Sequence, residues 1–255
     1  MEVYWLEQTE ADLPEGDDWL SPSETIRLST MRFAKRRNDW RLGRWTAKST
    51  LALYLNVSAD PRVLASIEIR PASSGAPEAF FQDKPAAARI SLSHRAGIAA
   101  CAVTRSTGVL GCDLEIIEPR TDAFLTDYFT AEEQSFVAGA SARDRSRLLA
   151  LLWSAKESTL KALRTGLRLD TRSVVVGLFG MLAGEREDAK GGAGDRARLV
   201  RSSDGIDDWR PLQVRHGESQ IFNGWWNHTR DLMRTVVAHP SSKPPILLAR
   251  APCFN

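Results

Sequence analysis

The strongest constraint on the fold is that three landmarks recur, in the same order, in two stretches of the chain. Leu20-Ser21-Pro22-Ser23-Glu24 is echoed by Phe129-Thr130-Ala131-Glu132-Glu133, and Trp45-Thr46-Ala47-Lys48 by Trp153-Ser154-Ala155-Lys156. Glu24 precedes Trp45 by 21 residues, and Glu133 precedes Trp153 by 20. Upstream, Tyr4 stands 20 residues before Glu24, as Asp113 does before Glu133. The shared order and spacing predict two similar halves, 1–107 and 108–239, joined near Ser106 to Gly108, with an extension at 240–255.

Each half reads alike. A short strand comes first (Val3–Leu6; Val109–Ile117), then a helical segment with Ser21 or Thr130 as its N-cap. A long helix comes next, about Met31–Leu55 and about Arg143–Leu163. Strands complete the halves near Ile67–Arg70, Ile90–Ser93 and Ala99–Thr104, and near Ser173–Gly177, Trp209–Val214 and Arg234–His239, with a pattern that suggests antiparallel pairing. Gly184–Asp208, rich in Gly, Asp and Arg, reads as an exposed loop. The stretch from Pro240 onward reads as extended. The expected class is α+β, with the active site in the crevice between two packed halves.

The 255 residues are 43% hydrophobic and 26% charged, ample for a sizeable core. The net charge of +2 does not suggest bulk nucleic-acid binding. The bases are nonetheless uneven: Arg32, Lys35, Arg36, Arg37, Arg41, Arg44 and Lys48 crowd together. Cys101, Cys112 and Cys253 are odd in number and widely spaced, which argues against a disulfide framework or a zinc site and for a reducing compartment. The acidic N-terminal stretch has no apolar signal core, and no run approaches a membrane span. A cytoplasmic, monomeric protein is expected.

Three motifs carry chemistry. In Gly111-Cys112-Asp113-Leu114-Glu115, two carboxylates at i and i+2 on a strand share a face. They repel unless a cation lies between them, and hard oxygen ligands in small number suit Mg²⁺; two solvated acids at a strand end would look the same. In Trp153-Ser154-Ala155-Lys156-Glu157-Ser158-Thr159-Leu160-Lys161, Glu157 and Lys161 share a helical face, as a reactive pair or as an ordinary ion pair. Ser154-x-x-Glu157 also fits a capping box, but the run Leu148–Trp153 already reads as helix, so Ser154 is expected inside it. In Ile90-Ser91-Leu92-Ser93-His94, a strand ends in groups that can bind phosphate oxygens or simply close a strand. A Ser-His-Asp triad is a poor reading there, because no G-x-S-x-G elbow is present and adjacent Ser93 and His94 point to opposite faces.

Taken together, these motifs resemble the Sfp-type 4′-phosphopantetheinyl transferases. The resemblance spans about Ser21 to His239. It is carried by Arg36-Arg37-Asn38-Asp39-Trp40-Arg41-Leu42-Gly43-Arg44, Lys84-Pro85, Ser91-Leu92-Ser93-His94-x-x-Gly97, Gly111-x-Asp113-x-Glu115, Phe129-Thr130-x-x-Glu133 and Trp153-Ser154-x-Lys156-Glu157-x-x-x-Lys161. Ser91 replaces a frequent Asn, and Cys112 is an unusual middle residue in the metal motif. The resemblance implies two pseudo-symmetric α+β halves with coenzyme A between them. It implies Mg²⁺, with Mn²⁺ as a substitute, held by Asp113, Glu115 and Glu157. It makes Glu157 the first candidate for the general base, with Glu133 or a metal-bound hydroxide as alternatives, and Lys161 the group that neutralises or protonates the leaving phosphate. Ser93 and His94 would contact the pyrophosphate or the 3′-phosphate. Arg36, Arg44 and Lys84, beside Pro85, would contact the 3′-phosphate. The partner would be an apo carrier protein, touching part of Ile116–Gly139 with Arg120 adding electrostatic steering. Two other readings use the same residues: a different Mg²⁺-dependent nucleotide enzyme, and a non-catalytic binder of coenzyme A or a carrier.

Overall fold

The structure is a computed structural model and describes residues 1–105, 107–177 and 208–248. The expected loop Gly184–Asp208, apart from Asp208, lies outside the described residues, as does Cys253.

The chain opens with β1 (Tyr4–Thr9), a short 3-10 turn, α1 (Pro22–Ser29), the long α2 (Ala34–Leu55) and α3 (Pro61–Ala65). Strands β2 (Ile67–Pro71), β3 (Pro77–Phe81), β4 (Lys84–Pro85), β5 (Ala88–Arg95), β6 (Ile98–Arg105) and β7 (Val109–Ile116) come next. Then come α4 (Asp122–Tyr128), α5 (Ala131–Ala138), the long α6 (Ala142–Ala162) and two 3-10 turns. The chain continues with β8 (Val174–Val176), β9 (Arg210–His216), β10 (Gln220–His228), β11 (Leu232–His239) and β12 (Ile246–Leu247). This mixture of helix and sheet agrees with an α+β class. Among the described residues no helix is long and apolar enough to cross a membrane.

The helix signals act as local chemistry requires. Ser21 and Thr130 each accept the backbone N–H three residues on, while Glu24 and Glu133 reach back to the cap N–H, closing two capping boxes. Helix α2 ends where Asn56 takes the left-handed conformation at φ 54°. Its buried face, Leu42, Ala47, Leu51 and Ala52, recurs at helical spacing. Ser154 lies inside α6, its hydroxyl turned to Thr235 of β11, so no helix starts there.

The strands form three sheets. One has the order β12-β1-β6-β5, with β1 parallel to β12 and otherwise antiparallel. A second, β7-β11-β10-β9-β8, is antiparallel throughout, and a small β2-β3-β4 sheet flanks the first. Alternation along β6 divides its neighbours. Cys101 and Val103 join the core that includes Ala47 and Leu51 of α2, while Ala100 and Ala102 join another core. That second core also holds Trp5, Leu110, Cys112, Leu114 and Val236, so it joins the two larger sheets face to face. A third core seats α6 on the second sheet through Leu149, Leu152, Phe222 and Val237. The result is a layered molecule with a long helix outside each larger sheet.

The observed elements revise several sequence expectations. β10 was not expected: Asn223, Gly224 and Asn227 break its apolar pattern, yet Phe222 and Trp226 are buried and both neighbours pair with it. β3, β4, α3 and α4 were also unforeseen. Of the stretch after Pro240, the described residues 241–248 have a partner: β12 pairs with β1 through Tyr4 to Ile246 and Trp5 to Leu247. Along the way Ser241 and Ser242 accept hydrogen bonds from Asn223 and Trp225 of β10.

Candidate active site

The site forms where the edge strands of the two larger sheets, β5 and β7, run side by side. No backbone ladder joins them; two serines do it instead. Ser91 Oγ accepts the Cys112 N–H at 2.9 Å, and Ser93 Oγ accepts the Leu114 N–H at 3.2 Å. Leu110, Cys112 and Leu114 face the inter-sheet core, so Gly111, Asp113 and Glu115 face α6. Gly111 is what lets the helix come close: a Cβ there would lie 1.8 Å from the Ser158 carbonyl oxygen and 2.7 Å from the Ala162 nitrogen. Only glycine permits this approach.

The close packing sets the last turns of α6 against the two carboxylates. Lys161 Nζ donates to Asp113 Oδ1 at 2.8 Å and to the Cys112 carbonyl at 3.1 Å. Ser93 Oγ donates to the same Oδ1 at 2.8 Å. The other oxygen, Asp113 Oδ2, is buried and has no hydrogen-bond partner. Glu115 is 8% exposed, and its Oε2 accepts from Arg120 at 3.0 Å with Arg95 Nε at 3.8 Å. Glu118 lies 3.2 Å from both guanidinium groups.

The electrostatics tie these groups into one cluster. Burial, then the Asp113 charge, pushes the Glu115 carboxyl up to about 7, with Glu157 adding to the rise and Arg95 and Arg120 opposing it. Burial and Asp113 likewise raise Glu157, against the pull of Lys161. Burial alone would lower Lys161, but Asp113, the Cys112 thiol and Glu157 hold its pKa above the usual lysine value. Lys161 is therefore a persistent cation. His94 is exposed at the end of β5. Partial burial lowers its pKa, Asp39 opposes this, and Lys161, Lys35 and Arg95 add to the lowering, so the ring is neutral near pH 7.

Asp113 thus raises the cost of ionising both Glu115 and Glu157, and one of its own oxygens is buried without a hydrogen-bond partner. Both features suit a cation. Among the described residues no group of three or more His, Cys, Asp or Glu is arranged to hold a metal ion by itself. Mg²⁺ does not need such a cage, because it is commonly held by one or two carboxylates together with water and substrate phosphates. The donor set fits it on those terms.

Other expected site residues lie elsewhere. Glu133 is fully buried. Its oxygens accept from the Thr130 and Val176 backbone N–H groups at 2.9 and 3.0 Å, and Lys156 Nζ lies 2.9 Å away. With no oxygen left to solvent, Glu133 cannot take a proton from an incoming hydroxyl, and its role is structural. Glu24 and Lys48 repeat the arrangement at 2.5 Å, with Ser21 and Ile69 as donors to Glu24 and the Trp19 and Leu64 carbonyls as acceptors for Lys48. Sequence reasoning missed the ion-pair half of both arrangements, although the paired Glu and Lys stood in the repeat. Arg44 stacks on Trp40 at 4.9 Å with its Nε 3.5 Å from Glu24, and burial lowers its pKa despite that carboxylate. Arg36, Lys84 and Pro85 are exposed, and Arg36 and Lys84 make no ion pair among the described residues. Cys101 and Cys112 are free buried thiols, as expected.

A cleft of about 290 Å³ opens beside Lys161, between the β2–β3 turn at Ser74 and the end of α6. Ile90, Leu92 and Leu110 give it apolar wall; Arg89, Lys161 and Arg164 give it positive charge. Arg164 bonds Glu78 at 2.8 Å and Arg168 bonds the Ser74 carbonyl at 2.9 Å, tying the turn to the region after α6.

No curated protein matches the chain. Residues 109–190, the stretch holding Asp113, Glu115, Glu157 and Lys161, match the family model of the 4′-phosphopantetheinyl transferase superfamily.

Proposed function

We propose that the protein is an Sfp-type enzyme that transfers 4′-phosphopantetheine from coenzyme A to a serine of an apo carrier protein, with Mg²⁺ required and Mn²⁺ as a substitute. The observation that carries this reading is the cluster of Asp113, Glu157 and Lys161, with Asp113 Oδ2 buried and unpartnered, inside the matched stretch. The halves are 1–107, on the coenzyme A side, and 108–239, with the metal and catalytic residues. Residues 240–255 form an extension. The two Glu–Lys pairs, each anchored by a capping box, support descent of the halves from one unit.

Asp113 and Glu115, with Glu157, would hold the metal ion. When bound, it would offset charge on the pyrophosphate of coenzyme A and on the departing 3′,5′-ADP. The chain's own groups do the rest. Glu157 accepts the proton of the carrier serine hydroxyl; its raised pKa brings it nearer neutrality, which suits that task. The serine oxygen then forms a bond to the β-phosphorus, and the bond from that phosphorus to the bridging oxygen of 3′,5′-ADP breaks. Lys161, held cationic, stabilises the negative charge left on that oxygen. Ser93 keeps Asp113 aligned through its hydroxyl. His94 can donate one ring N–H to a phosphate oxygen. Arg36 and Lys84 are free to meet the 3′-phosphate, and Arg44 can join them by exchanging Glu24 for phosphate.

The carrier docks on part of the segment from Ile116 to Gly139. Phe129 and Val137 there are core, leaving Phe124 and Tyr128 of α4 as the apolar surface beside Glu115. Partners are thus coenzyme A and carrier domains, with a monomeric, cytoplasmic enzyme and no nucleic acid or membrane. The test is incubation with coenzyme A, Mg²⁺ and a panel of apo carrier domains, read by mass spectrometry. An added phosphopantetheine on the carrier serine is expected. Coenzyme A cleavage without transfer would favour a nucleotide hydrolase, and binding without turnover a non-catalytic role.

A further inference from the structure

Arg120 was expected to add electrostatic steering toward the carrier. Its guanidinium instead turns inward: Nη2 bonds Glu115 at 3.0 Å and lies 3.2 Å from Glu118, and its carbon sits 5.2 Å from the Phe124 ring centroid. Arg95 completes a ring of alternating charge with the same two carboxylates. We propose that Arg120 is a positioning residue for the metal site, neutralising Glu115 until metal and pyrophosphate arrive together; this rests on the metal reading above.

The charges around the site explain the coupling. Asp113, Glu115, Glu118 and Glu157 face Lys161, Arg95 and Arg120, so the cluster is near balance without any bound ion. A dication alone would find Glu115 already satisfied and would overshoot that balance. A pyrophosphate alone would meet four carboxylates. The pair together restores the original charge, so each makes room for the other. Arg120 is itself held by Glu118 and the Phe124 ring, which fixes where it holds Glu115. Arg120 therefore makes the metal a companion of the substrate rather than a permanent resident.

The test is a Mn²⁺ titration of the full chain by electron paramagnetic resonance, with and without coenzyme A. Wild type should bind Mn²⁺ weakly alone and more tightly with coenzyme A. Arg120→Ala should bind Mn²⁺ alone about tenfold more tightly, the size of effect that one removed neighbouring charge has on a coupled site. Its further gain from coenzyme A should shrink. Arg120→Gln, which keeps a hydrogen-bond donor without the charge, should behave like Arg120→Ala and serves if the alanine variant does not fold. Arg120→Lys should stay near wild type. Mn²⁺ binding by wild type with coenzyme A, combined with unchanged or weaker affinity in Arg120→Gln, would overturn this inference alone. No Mn²⁺ binding by any of these proteins, even with coenzyme A, would overturn it together with the metal reading.

Discussion

Helices α2 and α6 carry the same buried ion pair and differ in the residues next along the helix. Lys48 meets Glu24, and Lys156 meets Glu133; both lysines are fully buried and each also bonds two backbone carbonyls. After Lys156 the helix places Glu157 and then Lys161. At the matching distances after Lys48 it places Ser49 and Leu53. The strand facing α6 supplies Asp113 and Glu115, while α2 faces Cys101 and Val103 of β6. The Glu–Lys frame is thus scaffolding common to both regions, and the proposed reaction site needs Glu157 and Lys161 one and five residues beyond it together with the carboxylates of the facing strand.

The comparison breaks most readily at Glu157. Replacing it with Gln should lower transfer by about a thousandfold, the scale of a lost general base, with the melting temperature unmoved. Ser49→Glu in the same background should restore nothing, because no Asp113 faces it. Retained turnover in Glu157→Gln would move the proton acceptor elsewhere.

Next come the frames themselves. Lys156→Met leaves the buried Glu133 carboxylate without its cation, which costs about 3–5 kcal/mol. Lys48→Met should cost less, because Arg44 Nε stays 3.5 Å from Glu24. Urea denaturation that showed the larger loss in Lys48→Met would mean Arg44 does not share the work of that pair.

Gly111→Ala should act on both levels. Its Cβ would collide with the Ser158 carbonyl, forcing α6 away from β7. Overpacking of this kind costs about 1–3 kcal/mol, and here it also parts Lys161 from Asp113. Transfer should therefore fall even in the folded fraction; normal transfer with normal stability would show that the helix need not lie this close.

The smallest effect separates the two stitching serines. Ser91→Ala should cost about 1 kcal/mol of stability and little activity, as for one lost hydrogen bond. Ser93→Ala should cost a similar amount of stability but also lower kcat, because its hydroxyl orients Asp113. Equal activity in the two variants would remove that role from Ser93.

The features legible in advance are those written in neighbouring residues. The N-caps at Ser21 and Thr130, the long helices and the i, i+2 carboxylates are local patterns, and local patterns survive in a single sequence. Glu133 could not be sorted from Glu157 that way. Both are acids in matching motifs, and only tertiary burial shows that one is consumed by Lys156 and Val176. Arg95, at the end of β5, and Arg120, after β7, meet Glu115 from separate elements, and Glu118 meets both arginines, so no spacing announces them. β10 was hidden for a simpler reason: its glycine and asparagines mask a strand that both neighbours require.

β12 has a consequence beyond pairing. On one side β1 is hydrogen-bonded to β6; on the other, its backbone is met by Ile246 and Leu248, which donate to the carbonyls of Val3 and Trp5. An uncovered strand edge is a template for another chain's strand. With the stretch after Pro240 removed, that edge, next to the buried Trp5, would face solvent and recruit the same edge of a second molecule. Residues 241–248 would therefore guard against self-association, and shortening the chain there would trade a closed edge for a sticky one.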